Sequence, residues 1–198
     1  MRKVIVDEWM TLDGVAQAPM EANEDTTGGF EFGGWHMPYA DEAFQKWVVR
    51  NLNEAGGFSS GRRTYEAFAG HWPNASIEEQ AVADPLNKQP KYVASRRLSE
   101  PLEWQNSTLL HGDLKHAVAA LKGEDGGDLH VIGSTNLVQG LFKDNLVDEL
   151  RVIIDPVTVG GGKRIFPDDG ALRAMRLVES EMTSTGGFIA TYAVEKQK

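Results

Sequence analysis

The 198 residues are long enough for one compact domain with a continuous core, and 41% hydrophobic with 25% charged residues is the composition of a globular chain. A formal net charge of −9 argues against general nucleic-acid binding, which needs a basic face to displace counterions, but leaves room for a small anion held by clustered cations. The absence of cysteine removes disulfides and thiolate metal sites, and the lack of a membrane-length apolar run, with Met1 leading straight into a strand pattern, predicts a cytoplasmic protein with no membrane partner.

In chain order, "KVIVDEWM" reads as a strand, its Val4-Ile5-Val6 run suited to burial on both faces. The pattern then collapses from Thr11 to Tyr39 into a long loop of Gly, Pro and acids that nevertheless carries Phe30, Phe32 and Trp35. A loop of that length is uncommon and usually functional or disordered, and its aromatics favour function. A helix follows with Asp41 as cap, Phe44, Trp47, Val48 and Leu52 on one face, and Gly56 as its end. "GGFSSGRRTYEAFAGHW" predicts a short strand, a turn at Gly61 and a helix from near Arg63. An acidic helix over about Ser76–Leu86 ends near Pro85, and "KYVAS" and "STLLHG" are further strands. Asp113 caps the helix "LKHAVAALK", "LHVIG" is a strand, Thr135–Lys143 a helix, and "DELRVIIDPV" a strand. The tail predicts two strands joined by a two-residue turn at Gly186-Gly187. Alternating strands and helices closed by an antiparallel hairpin imply an α/β sandwich over residues 1–198, one mixed sheet with helices on both faces.

The run "VTVGGGKRIF" invites a phosphate-loop reading. That loop requires G-x-x-x-x-G-K-[ST], and here Val157 stands at the first glycine and Arg164 at the hydroxyl. No G-x-G-x-x-G follows the first strand either. The run therefore reads as a turn between strands. The more telling cations are Arg62 and Arg63 with Thr64 after one strand, and Ser95, Arg96 and Arg97 after the next. A third such place holds the turn Gly133-Ser134-Thr135. In an α/β sheet, strand carboxyl ends and helix N-termini share a crevice whose free N–H groups and dipoles favour anions. Arginine suits a phosphate there because its planar fork donates two parallel bonds.

The order of "TLDG", "GRRTYEAF", "YVASRRL", "HVIGSTNLVQGLF" and "VDELRVIIDPVTVGGGKRIF", closed by a hairpin, resembles the dihydrofolate reductase fold. It is most similar to the reductase domain of the riboflavin-biosynthesis deaminase-reductase and its stand-alone relatives, over nearly the whole chain. That resemblance implies a three-layer sandwich with a mainly parallel sheet, an NADPH cofactor, a small-molecule substrate and a homodimer. It implies cofactor contacts from Gly61, Arg62, Arg63 and Thr64, from Ser95 and Arg96 beside the adenosine 2′-phosphate, and from Gly133, Ser134, Thr135, Asn136 and Leu137 at the pyrophosphate. Dihydrofolate reductases carry Gly-Gly where this chain has Gly133-Ser134, and a basic residue where it has Asn136.

On the substrate side, Asp13 in "TLDG" is either a proton-transfer or substrate-binding carboxylate, or the Asp of an Asp-Gly turn. Asp41 lies near the position of the pterin-contacting acid of dihydrofolate reductases; its alternative is an N-cap. Trp35 is a lid over the nicotinamide or a plug beneath its loop. Gly160–Gly162 read as a pliable border against which that loop packs, so Gly161 and Lys163 are substrate-side candidates, with Lys163 either facing a substrate phosphate or water. The five histidines show no metal spacing. The leading function is an NADPH-dependent reductase of a small heterocycle, carbonyl or imine, the family default being the riboflavin-pathway pyrimidine 5-amino-6-(5-phosphoribosylamino)uracil. The competing readings are dihydrofolate reductase and a non-catalytic nucleotide-binding protein of the same fold.

Overall fold

A computed structural model of the chain describes residues 1–195. Its sheet has the order β4-β3-β2-β5-β1-β6-β8-β7, with β1 Val4–Thr11, β2 Gly57–Gly61, β3 Lys91–Ala94, β4 Ser107–Leu110, β5 Leu129–Ile132, β6 Glu149–Asp155, β7 Met175–Met182 and β8 Phe188–Val194. Strands β1 to β6 run parallel, and β8 and β7 close one side antiparallel. The mixed, mainly parallel sheet and the antiparallel C-terminal pair are the dihydrofolate reductase-like architecture expected from the motif order.

β1 has strands on both sides and helices on both faces, which is why Val4, Ile5 and Val6 are all buried. Over one face lie α1 (Glu42–Glu54), α2 (Arg62–His71) and α3 (Gln80–Lys88), packing Leu52, Tyr65 and Leu86 against Phe58, Val93 and Leu109. Over the other lie α4 (Leu114–Gly123) and α5 (Thr135–Lys143), packing Leu121, Val138, Leu141 and Phe142 against Val6, Val131 and Val152. Each such side chain contributes about 1.5–3 kcal/mol relative to leaving it in water.

Two local expectations are corrected. The helix expected to stop near Pro85 runs on to Lys88. Proline removes one helical bond, but burial of Pro85 and Leu86 offsets that loss, and the buried Lys91 ammonium collects the carbonyls of Leu86, Asn87 and Gln89 at the helix end. The C-terminal turn is longer than Gly186-Gly187. It spans Thr183 to Gly187, because Thr183 N–H donates to the Gly187 carbonyl while its Oγ1 accepts from Gly187 N–H at 2.7 Å. The second strand of this hairpin, β8, lies inside against β6, leaving β7 at the edge.

Candidate active site

The carboxyl ends of β3, β2, β5 and β1 are consecutive along the sheet, so the motifs that follow them share one edge. β2 passes directly into α2 at Gly61-Arg62, and β5 enters α5 through Gly133 and Ser134, both left-handed with φ of 61° and 62°. Neither α2 nor α5 has a side-chain cap. In contrast, Asp41 caps α1, Asp113 caps α4, and a Ser76–Glu79 capping box opens the turn leading into α3. The uncapped ends adjoin: Gly61 N–H donates to Ser134 Oγ at 2.9 Å, and a Cβ at Gly133 would lie 3.6 Å from Thr64 Cγ2. Two positive helix ends with unspent first-turn N–H groups thus converge on a cradle left open by the missing Gly133 side chain.

The arginines follow the carboxyl ends of β2 and β3. Ser95 Oγ accepts from the N–H groups of Arg97 and Leu98 at 3.0 and 3.1 Å, fixing a turn that leaves Arg96 and Arg97 exposed. Arg62 pairs with Glu66 at 2.7 Å, and the exposed Arg63 reaches Thr27 Oγ1 at 3.5 Å. Gly61, Arg62, Arg63, Thr64, Ser95, Arg96, Gly133, Ser134, Thr135 and Asn136 therefore lie on one edge, as their spacing implied. Leu137 is different: its side chain is buried in the core under α5.

On the substrate side most carboxylates have structural work. Asp13 Oδ1 accepts from Thr11 Oγ1 at 2.5 Å and Val159 N–H at 3.3 Å, and Oδ2 accepts from Gly160 N–H at 2.8 Å. The Thr11 bond, then the Gly160 and Val159 amides, hold its carboxyl below the usual range despite some desolvation, so it stays ionised and is a poor proton donor. Asp13 instead clamps the glycine run to the end of β1. Asp13→Asn presents an amide to Gly160 N–H and loses that bond; we expect a thermal midpoint about 2–4 °C lower and a higher KM. A fall in turnover at unchanged KM and midpoint would return Asp13 to chemistry.

Asp41 is the N-cap, not a substrate acid. One oxygen accepts from Phe44 N–H, the other from Ser184 N–H and Oγ, and together they join α1 to the β7–β8 turn. Trp35 is the plug, not the lid: it is buried with Val15, Ala18 and Phe30, and its indole N–H donates to the Gln17 carbonyl at 2.8 Å. The glycine run does pack against the loop that carries Trp35, through Val15 and Phe30. Gly162, at φ 139°, lies where a Cβ would meet Val15 Cγ1 at 2.6 Å and Phe30 at 3.0 Å. The Lys163 ammonium is paired with Asp25 rather than left to water alone. Between the Thr27–Phe32 loop and this run lies an open groove of about 470 Å³, lined by Gly161 and Lys163 among others.

Sequence reasoning missed the buried titratable groups. Glu8 is 1% exposed, one residue past the Asp7–Ile132 rung that ends the pairing with β5, and its Oε1 has no hydrogen-bond partner among the described residues. Burial first, then Asp7, raises its carboxyl well above the ordinary range. His36 Nδ1 meets Asp155 Oδ2 at 2.6 Å with both side chains fully buried, pinning the long loop to the end of β6. His130 and Asp7 form a second such pair at 2.6 Å. The signal was present in "VDEWM", where two acids interrupt a strand expected to be buried on both faces.

The family model of the RibD C-terminal domain matches residues 2–189. The chain belongs to that family. Members of the RibD C-terminal domain family are typically reductases, so the chain is an oxidoreductase at that coarse level, and the family suggests a nicotinamide cofactor. The uncharacterized protein YyaP of Bacillus subtilis (strain 168) is 26% identical over 187 residues, 93% of this chain and 91% of YyaP. The fold is shared with a protein assigned to riboflavin biosynthesis from Shewanella sp. PV-4, at TM-score 0.70 and 21% identity over 98% of this chain and 99% of that one. It is shared also with RibD of Acinetobacter baumannii, at TM-score 0.61 and 13% identity, where the match covers 99% of this chain but 59% of the longer RibD. No described helix is long and apolar enough to cross a membrane.

Proposed function

We propose that residues 1–198 form one NADPH-dependent reductase domain acting on a small heterocycle, carbonyl or imine, with 5-amino-6-(5-phosphoribosylamino)uracil as the family default substrate. The observation that carries this reading is the convergence of the uncapped α2 and α5 N-termini across the Gly61–Ser134 bond. That cradle suits a pyrophosphate, since two uncapped helix N-termini meet there and Gly133 adds no side chain to it. Gly61, Thr64 and the Ser134–Leu137 amides would hold the pyrophosphate. Arg62 and Arg63 would flank it, and Ser95 and Arg96 would receive the adenosine 2′-phosphate and favour NADPH over NADH.

When bound, NADPH supplies the hydride. The chain's own part is to orient and to exclude water. Asp13 holds the glycine run closed on β1, the His36–Asp155 pair holds the far end of the covering loop, and Phe30 and Phe32 present aromatic surface to the groove. Glu8 is the carboxyl near the end of β1 that stays protonated well above the ordinary carboxyl range, whereas Asp13 is the one that stays ionised. We place this reductase in the cytoplasm as a homodimer, the pairing supported by the apolar Leu177, Val178 and Met182 exposed on the edge strand β7. The dihydrofolate reductase reading has lost its acid, since Asp41 is fully engaged as a cap.

Titration with NADPH and with NADH, followed by an oxidation assay with the pyrimidine, with its unphosphorylated riboside and with dihydrofolate, tests the proposal. We expect saturable NADPH binding at least about tenfold tighter than NADH, and substrate-dependent loss of the reduced nicotinamide absorbance. Binding without oxidation would favour the non-catalytic reading, and no binding would sink both enzyme readings.

A further inference from the structure

The groove beside the glycine run has an uneven charge. Its cation, Lys163, is neutralised by Asp25, and both are held from behind by Gln17, which is 3% exposed. Gln17 Nε2 donates to the carbonyls of Asp25 and Thr27 at 2.9 Å each, while its Oε1 accepts from Lys163 N–H at 3.0 Å. One buried amide therefore sets the spacing of the two backbones that carry the pair. Asp25 is further fixed by Thr27, whose N–H and hydroxyl donate to Oδ1 at 3.1 and 2.6 Å. This is a preorganised pair, unlike a loose surface bridge between two long side chains.

The other nearby charges do not restore a cationic pocket. Glu31 lines the groove and is acidic. Arg164 turns away, its Nε donating to the Asp13 carbonyl at 3.2 Å. Arg63 touches only the rim, through Thr27, and stands at the N-terminus of α2 on the cofactor side. The remaining surface suits a flat ring. Phe32 is 56% exposed and stands edge-on to Phe30 at 6.0 Å, and across from them Gly161 has open space where a side chain would be.

We propose that this groove binds an uncharged planar heterocycle lacking a phosphate, and that Asp25 is a specificity-determining residue that excludes phosphorylated substrates by neutralising Lys163. The inference rests on the reductase reading and narrows it, because the family default carries a 5′-phosphate. A phosphate entering the groove would meet Glu31 and would have to displace Asp25 from a lysine already held in place; both oppose it. In Asp25→Asn the Thr27 bonds to Oδ1 remain possible, the loop keeps its shape, and Lys163 becomes an unpaired ammonium facing the groove.

Calorimetric titration of the full chain with 5-amino-6-(ribosylamino)uracil and with its 5′-phosphate, each with NADPH present and absent, tests this. Wild type is expected to bind the unphosphorylated compound at least tenfold more tightly. Asp25→Asn is expected to improve affinity for the phosphate at least tenfold, in a salt-sensitive manner, and to leave the unphosphorylated compound within twofold. Lys163→Met is expected to keep the wild-type preference, so it reads the same question if Asp25→Asn folds poorly. Equal or tighter binding of the phosphate by wild type, no binding of either compound, or loss of phosphate binding on Lys163→Met would each overturn the proposal. NADPH binding with a reversed preference removes this inference alone. Loss of NADPH binding removes the reductase reading, while the two pyrimidines still decide the groove.

Discussion

Gly133→Asp is expected to weaken NADPH binding at least about 100-fold, while Gly133→Asn keeps it within about tenfold. Residue 133 has φ of 61°, a left-handed conformation that Asp and Asn tolerate better than other residues with a Cβ. A Cβ there meets Thr64 at 3.6 and 3.7 Å, ordinary contact distances, so both variants are expected to fold. They occupy nearly the same volume and differ in charge. The carboxylate would stand between two uncapped helix N-termini and substitute for the anion they are arranged to receive. Like charges placed together at a binding site cost several kcal/mol, which is the source of the expected loss. Fluorescence titration of reduced nicotinamide against both variants gives the comparison. Equal effects of Asp and Asn would mean that shape, not charge, governs the cradle, and unaltered binding in both would move the cofactor elsewhere.

Glu8→Gln should stabilise the protein at neutral pH and leave it unchanged near pH 4. In the unfolded chain the Glu8 carboxyl ionises at about pH 4.3, whereas in the fold burial and Asp7 raise it well above that. Between those two values the native state retains a proton that the unfolded state has released. Stability then falls as pH rises, by about 1.4 kcal/mol per unit, until the folded carboxyl itself ionises. Glutamine has no such proton to lose. At pH 7 we therefore expect its thermal midpoint to lie above that of wild type. The gap should close on acidification toward pH 4. Scanning calorimetry across pH 4–8 measures it, and a gap that does not widen with pH would show that Glu8 is solvated or partnered. A buried acid on the central strand, with one oxygen lacking a hydrogen-bond partner among the described residues, lowers stability, and that makes it a candidate functional position.

How legible the chain was differs by scale. The helix expected from about Thr135 to Lys143 is found there, because its start follows a Gly-Ser turn and its apolar period is regular. The cap at Asp113 was legible for the same local reason. Pro85 misled, because its neighbours alone do not show that the helix is buried deeply enough to tolerate it. Asp41 was ambiguous for a deeper reason. A cap and a substrate acid are the same side chain at the same helix start, and only the contact with Ser184, 143 residues away, separates them.

The site divides along the same line. Arginine doublets and the Gly-Ser-Thr turn could be placed on strand ends from the sequence, since strand-to-helix order determines which end they occupy. By itself, the sequence determined the alternation of elements, the motif order that gives the family and the strand ends that carry the arginine doublets and the Gly-Ser-Thr turn. Tertiary structure alone decided that β2 and β5 are neighbours, that α2 and α5 remain uncapped at their meeting point, and that Lys163 is spent on Asp25. The physical reason is range. Propensity, capping and periodicity act over a few residues, whereas pairing between Gly61 and Ser134 or between Asp25 and Lys163 depends on strand order and loop packing that no local window contains.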